Sequence, residues 1–236
     1  MERNRLLLLA GAVAVAAIVV VAAIVIAGRG GGSAGTTSTS ASVDQTSTAA
    51  QADPFAGVPQ HGDTLGRASA GATLTVYEDP QCPYCRQWAL GTLPTVIENY
   101  VRTGRVKLVY HGIVVIGANS EKGLRALYAA GAQNKLWNLA EALYQRQGAE
   151  ESGWITNAVI RDAASAVGAN GAAILAASPS PKVTASLRAA AQQSSADHVQ
   201  GTPTFVLQRP PSVPRQLQVA SLDPATFMAA LDAALQ

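Results

Sequence analysis

Two cysteines separated by two residues form the most reactive segment of the chain. The segment Cys82-Pro83-Tyr84-Cys85 contains the only two cysteines among 236 residues. It follows a β-branched and aromatic run at residues 73–77 and precedes a helical pattern, which predicts Cys82 at a helix N-terminus. Unpaired backbone N–H groups and the helix dipole favour a thiolate there, so we expect a Cys82 pKa below the ordinary value of about 8.5. Cys85, one turn further into the helix, is expected to be the more buried, resolving thiol.

Two other interpretations of a Cys-x-x-Cys pair are weaker. Half of a zinc site needs two further ligands, and His61, His111 and His198 are scattered without paired spacing. No metal is therefore predicted. A permanent structural disulfide would close a loop across only two residues and add little stability. The pair is better suited to a cycle between one disulfide and two thiols.

Strands and helices alternate around this pair, which indicates an α/β fold. The first two strands are expected to be parallel, because a helix of suitable length joins them. A long block rich in Ala, Leu, Glu and Gln then predicts four or five helices. The predicted elements are, in chain order, a strand at 73–77, a helix from Cys82 to about Thr103 that kinks at Pro94, a strand at 106–115, the helical block at 119–197, strands at 204–207 and 216–219, and a last helix capped by Asp223.

These features resemble the DsbA-like thiol-disulfide oxidoreductases of the thioredoxin superfamily, and more narrowly their membrane-tethered bacterial members. The resemblance rests on the strand, turn and helix around Cys82-Pro83-Tyr84-Cys85, on the helical block, and on the later Gly201-Thr202-Pro203-Thr204-Phe205. It covers about residues 58–236. It implies a thioredoxin-like fold in which residues 119–197 form an inserted helical domain.

The resemblance also implies roles for individual residues. Cys82 is the expected attacking cysteine and Cys85 the resolving one. Pro203 matches the cis-proline that packs against the disulfide, and Thr202 before it is expected to contact substrate and to set the redox poise. Between the cysteines, the pair Pro83-Tyr84 is expected to share in redox tuning and substrate contact.

One position departs from the family pattern. Many relatives carry a buried acidic residue six positions before the first cysteine, where this chain has Val76. Glu78 and Asp79 lie nearer the motif, and Asp79 matches an acidic position common in the subgroup. Either carboxylate is a candidate for handling the Cys85 proton. The alternative interpretation, a pair of solvated turn carboxylates, stays open from the sequence.

Residues 1–58 differ in composition from the rest of the chain. Residues 6–27 are uncharged and long enough for a transmembrane helix, which needs about 20 apolar residues. Arg3 and Arg5 place the short segment 1–5 in the cytoplasm, although cleavage after Ala27 stays open. Residues 28–58, rich in Gly, Ser and Thr, predict a flexible linker. The predicted arrangement is a single-pass bacterial membrane protein with an extracytoplasmic domain at residues 59–236.

The expected function is protein disulfide oxidation, with the Cys82–Cys85 disulfide as the redox group and no other cofactor. Expected substrates are reduced or unfolded secreted proteins, and the resemblance implies reoxidation by a membrane quinone-linked partner of the DsbB or vitamin K epoxide reductase type. The net charge of +2 comes from residues 1–29 and gives no sign of nucleic-acid binding. No dimerisation segment is apparent, so a monomer is expected. The alternatives are a reductase or isomerase on the same fold and a non-catalytic tethered binding module.

Overall fold

The computed structural model describes residues 53–236 of the chain. The predicted cytoplasmic segment 1–5, the predicted transmembrane helix 6–27 and the greater part of the predicted linker lie outside the described residues. Within residues 53–236, no helix combines the length and apolar character needed to cross a membrane.

A mixed sheet of six strands lies at the centre of the described residues. Its two middle strands, β3 (Ala72–Glu78) and β4 (Val106–Gly112), are parallel, as predicted. Strand β5 (Thr204–Gln208) pairs with β3 on its other side and is antiparallel to it. The remaining strands have two residues each and are β1 (Gln60–His61), β2 (Thr64–Leu65) and β6 (Arg215–Gln216), which gives the order β1-β2-β4-β3-β5-β6.

The burial of the middle strands explains where the reactive end of the sheet lies. Buried and half-buried residues alternate along β4, as expected where the two faces of a sheet differ in cover. In β3 the alternation stops at its C-terminal end, where Val76, Tyr77 and Glu78 are all buried. That end is covered on both faces, and the chain leaves it directly for the cysteines.

The helix that carries the cysteines, α1, spans residues 83–101 and is continuous but irregular. Wider π-helical turns at Trp88–Thr92 and Ile97–Val101 alternate with α-helical turns at Pro83–Gln87 and Leu93–Val96. Pro94 has no N–H to offer a preceding carbonyl, and the wider turn just before it accommodates this loss. The irregularity predicted at Pro94 therefore takes the form of a π-helical turn.

Five helices follow β4, in agreement with the predicted helical block. Side-chain oxygens of Thr156, Asn170 and Ser180 cap three of them by accepting a backbone N–H. A further helix ends the chain and begins at the predicted Asp223 cap. The helices are α2 (Ala118–Gly131), α3 (Leu136–Gln145), α4 (Asn157–Ala166), α5 (Gly171–Ala177), α6 (Pro181–Ala196) and α7 (Pro224–Leu235).

Three boundaries differ from the predicted ones. Strand β4 ends at Gly112, three residues early, because the following segment turns away to bind Asp79. The strand predicted at 216–219 is only Arg215–Gln216. The folded domain also begins before residue 59, since Phe55 is buried in its core.

Candidate active site

Cys82 lies at the junction between β3 and α1. Its backbone is extended at the N-cap of the helix, and Pro83 occupies the first helical position, where a missing N–H costs nothing. Both cysteines are free thiols. Cys82 is 5% exposed and Cys85 is fully buried, which confirms the predicted order of burial.

The surroundings of Cys82 favour its thiolate. Its pKa falls to about 6, chiefly because the Cys85 thiol donates a hydrogen bond to its sulfur. The Thr202 side chain and the backbone N–H groups of Tyr84 and Cys85 act in the same direction, while partial burial opposes them. Cys82 is therefore largely a thiolate at neutral pH and a reactive nucleophile.

Cys85 has the opposite character. Burial raises its pKa well above the ordinary value, and its hydrogen bond to Cys82 and the charge of Glu78 raise it further. At neutral pH the pair consists of an ionised outer sulfur and a protonated inner one. This asymmetry is typical of a functional dithiol rather than of a structural one.

The loop before β5 completes the outer side of the site. The Thr202–Pro203 peptide bond is cis, as the resemblance implied. The Thr202 carbonyl lies 3.1 Å from the Cys82 sulfur, although 120 residues separate the two in sequence. Only the protonated thiol can donate to this carbonyl, so the contact is a hydrogen bond of the un-ionised Cys82. Tyr84 remains 63% exposed beside the pair.

Glu78 and Asp79 are both buried, at 1% and 0% exposure, so the interpretation as solvated turn carboxylates is wrong. The helical block covers the turn, which the polar local sequence did not predict. The Asp79 carboxylate accepts three backbone N–H groups, from Gln81 at 2.8 Å and from Val115 and Ile116 at 2.8 and 3.0 Å. Asp79 thus ties the active-site turn to the segment after β4.

Glu78 is the carboxyl group that faces the cysteines. It accepts a hydrogen bond from the Tyr144 hydroxyl at 2.6 Å. Burial raises the pKa of Glu78 to about 8, and the hydrogen bond from Tyr144 opposes this rise. The Trp88 indole N–H also lowers the Glu78 pKa, although it makes no hydrogen bond of normal geometry. Because strand residues two apart share a face, Glu78 lies on the face of Val76, one step nearer Cys82. Glu78 therefore places a buried carboxyl group on the strand face where this chain has Val76.

The helical block also holds the turn by contacts that sequence reasoning missed. The Gln147 amide donates to the carbonyl oxygens of Pro80 and Cys82 at 2.9 and 3.1 Å. The Arg86 guanidinium, on α1, donates to the Tyr144 carbonyl at 3.0 Å. Gln147 and Tyr144 lie about sixty residues from the motif, and no local pattern marks them.

Comparison with known proteins agrees with this geometry. A protein-family model described as "Thioredoxin" matches residues 60–211. The chain belongs to the thioredoxin family. The probable disulfide bond formation protein D of Bacillus cereus is 33% identical to it over 95 residues, which are 39% of this chain and 44% of that protein. The chain thus matches less than half the length of this relative.

Solved structures extend the likeness over the helical block. Oxidised BdbD from Bacillus subtilis superposes with a TM-score of 0.64 and 17% identity, over 75% of this chain and 97% of that one. A thioredoxin-like oxidoreductase from Silicibacter pomeroyi gives a TM-score of 0.56 and 25% identity, over 77% and 93% of the two chains. The predicted thioredoxin-like fold with a helical insertion and the resemblance to DsbA-like thiol-disulfide oxidoreductases are confirmed. The relatives' names agree with the predicted enzyme class.

Proposed function

We propose that this protein oxidises cysteine pairs of extracytoplasmic proteins to disulfides. The asymmetry of the Cys82–Cys85 pair carries the proposal. A Cys82 thiolate stabilised at the start of α1 makes the reduced pair stable, and a disulfide whose reduced form is stabilised is a strong oxidant. The Thr202 carbonyl, which lies 3.1 Å from the Cys82 sulfur, places the loop before β5 at the reactive atom and supports the same function.

The oxidation proceeds in two exchanges. A substrate thiolate attacks Cys82 of the disulfide, so a mixed disulfide forms and Cys85 leaves with the electron pair of the broken bond. A second substrate thiolate then attacks the substrate sulfur of the mixed disulfide. The Cys82 thiolate leaves, the substrate gains a disulfide, and two electrons remain on the reduced pair. The low pKa of Cys82 makes it a good leaving group in this second step.

Glu78 supplies the proton that Cys85 takes when it leaves. A carboxyl group with a pKa of about 8 is mainly protonated at pH 7 and can both give and take a proton near neutrality. The negative charges of an ionised Glu78 and an ionised Cys85 would repel each other in the same buried space. This repulsion favours one proton shared between the two groups. Asp79, which holds three backbone donors, is assigned a structural role instead.

The wider setting completes the proposal. The substrates are reduced or unfolded secreted proteins, and Thr202 and Pro203 offer them a backbone edge beside Cys82. A membrane quinone-linked partner of the DsbB or vitamin K epoxide reductase type takes the electrons. Residues 6–27 anchor a monomer in the bacterial cell membrane, and the Cys82–Cys85 disulfide is the sole redox group.

The reduction potential of the full chain tests the direction of electron flow. We expect a value well above that of thioredoxin, about −270 mV, and toward that of DsbA, about −120 mV. A potential near −270 mV together with a Cys82 pKa near 8.5 would contradict the oxidase and favour a reductase. Efficient reshuffling of a scrambled substrate without net oxidation would favour an isomerase.

Trapping of mixed disulfides tests whether the pair turns over at all. The variant Cys85→Ser lacks the resolving thiol and is expected to accumulate mixed disulfides between Cys82 and substrate proteins. The double variant Cys82→Ser, Cys85→Ser is the control and should accumulate none. If Cys85→Ser also accumulates none, a non-catalytic binding module is the better interpretation.

A further inference from the structure

A groove of about 620 Å³ lies between the segment after β4, helix α6 and the start of the loop before β5. The segment after β4, residues 113–115, forms one wall, and helix α6 forms the other through Leu187 and Ala191. One end of the groove reaches Gly201, which directly precedes Thr202. The groove is therefore continuous with the loop whose carbonyl contacts the Cys82 sulfur.

The apolar surface of the described residues is concentrated near this groove. Four large apolar side chains are exposed, and three of them lie at the end of the sheet that carries the cysteines. Tyr84 stands between the cysteines, while Val114 and Val115 line the groove at 49% and 51% exposure. Asp79 holds this wall in place through the Val115 N–H. A cluster of exposed apolar side chains next to a reactive site indicates a binding surface.

The charge of the groove is also distinctive. Its one acidic residue, Glu121, is paired with Arg125 at 2.8 Å. Its other cation, Arg188, is exposed and makes no ion pair or side-chain hydrogen bond within residues 53–236. The groove thus combines apolar walls with one uncompensated positive charge, which complements an apolar segment that contains a carboxylate.

We propose that this groove binds an extended segment of the substrate polypeptide, next to the cysteine that reacts with Cys82, and selects apolar residues accompanied by an acidic one. This inference rests on the oxidoreductase function proposed above and gives it a substrate preference. The cysteine of such a segment reaches Cys82 at the Gly201 end of the groove. Its neighbouring side chains then lie against Val114 and Val115, and its carboxylate meets Arg188.

Exchange with designed peptides tests the preference. The oxidised full chain is mixed with peptides that contain one cysteine flanked by Leu-Leu-Glu, Leu-Leu-Lys or Ser-Ser-Glu, and the rate of mixed-disulfide formation is measured. Each rate is divided by that with dithiothreitol, which is too small to occupy the groove. We expect the Leu-Leu-Glu peptide to react roughly 10-fold faster than the Ser-Ser-Glu peptide on this scale.

Variants on the two walls separate apolar from ionic recognition. Val114→Asp should remove most of the advantage of leucine, and Arg188→Glu should reverse the order of the Glu and Lys peptides. The ionic part should weaken at high salt, because exposed charges are screened. Val213→Asp and Arg161→Glu change an exposed valine and an exposed arginine that do not line the groove, and they serve as matched controls.

The outcomes distinguish the two proposals. Equal relative rates for all peptides, or groove variants that behave like their controls, would overturn the substrate preference and leave the oxidoreductase standing. Failure of the oxidised pair to react with dithiothreitol or with any peptide would overturn the function itself. A second copy occupies the groove instead if the wild type sediments as a dimer that Val114→Asp dissociates. The chain's own residues 1–52 occupy it if peptide preference appears only after their removal.

Discussion

Cys82 and Cys85 have the same side chain and are both withdrawn from water, yet their pKa values move in opposite directions. Burial raises both values. The difference comes from hydrogen-bond donors, because Cys82 receives the Cys85 thiol and two backbone N–H groups whereas Cys85 faces Glu78. The reactivity of the outer sulfur therefore depends on its inner neighbour as much as on its place at a helix terminus.

The largest of these donors can be removed selectively. Cys85→Ser keeps a hydroxyl donor next to Cys82, and Cys85→Ala removes the donor. A hydrogen bond to a charged group contributes roughly 1.5–3 kcal/mol, so we expect the Cys82 pKa in the Ala variant to exceed that in the Ser variant by about one to two units. The pH dependence of iodoacetamide alkylation measures both, since each variant has a single thiol. Equal midpoints would show that the Thr202 side chain and the backbone N–H groups lower the Cys82 pKa without help from residue 85.

Glu78 should make the domain less stable as the pH rises. Its pKa is raised from 4.5 to about 8 in the folded protein, so between these values the folded state binds a proton that the unfolded state has lost. The free energy of unfolding then falls with pH through this window, by up to about 1.4 kcal/mol per pH unit. In the reduced protein the Cys82 pKa, lowered from 9.0 to about 6, adds a slope of opposite sign above pH 6. The fall should therefore appear in the difference between the unfolding free energies of the wild type and Glu78→Gln, measured by urea unfolding at pH 5 to 8.5. An unchanged pH slope in Glu78→Gln would mean that Glu78 is ionised across the range.

At the scale of elements, local sequence patterns predicted the strands and helices that depend on neighbouring residues. The parallel pairing of β3 with β4 and the cysteine helix follow from hydrophobic runs and turn residues near the motif. The burial of Glu78 could not be predicted, because its cover comes from α3, a helix some sixty residues away. The two-residue strands β1 and β2 were missed for a related reason, since two residues give no periodicity.

Helix α3 is expected to control the proton at the active site through Tyr144. Because the Tyr144 hydroxyl lowers the Glu78 pKa, Tyr144→Phe should raise that pKa. Fewer Glu78 carboxylates would then be available at pH 7 to accept the Cys85 proton. The pH midpoint for release of glutathione from a mixed disulfide with Cys82 should therefore rise by about one unit. This is the pKa shift expected from the loss of one hydrogen bond.

A second tyrosine of the helical block provides the control. The Tyr128 hydroxyl, on α2, accepts the Gly112 N–H at 2.9 Å and makes no hydrogen bond to Glu78. Tyr128→Phe should cost comparable stability without moving the midpoint of glutathione release. If both variants shift the midpoint equally, Tyr144 acts through general packing rather than on the carboxyl group.

The whole molecule combines a neutral globular domain with a short, positively charged N-terminal region. The net charge of +2 is contributed by residues 1–29, and residues 30–236 contain 14 acidic and 14 basic residues. The site therefore has no strong net field to attract charged partners over a distance. Placement next to the membrane, rather than electrostatic steering, would have to bring the pair near secreted substrates and a quinone-linked partner.

That placement depends on residues 6–27, whose apolar run predicts a retained anchor. Two arginines at its centre, Val19→Arg and Val20→Arg, cost about 2.5–3.5 kcal/mol each in a transmembrane helix. We expect the wild type to resist extraction of membranes by alkaline carbonate and the double variant to be released from them. Ser38→Arg with Ser40→Arg adds the same charge to the linker and should stay with the membrane. A wild-type chain that is soluble and shorter by 27 residues would show instead that this segment is a cleaved signal peptide, and that the redox domain reaches its partners by diffusion.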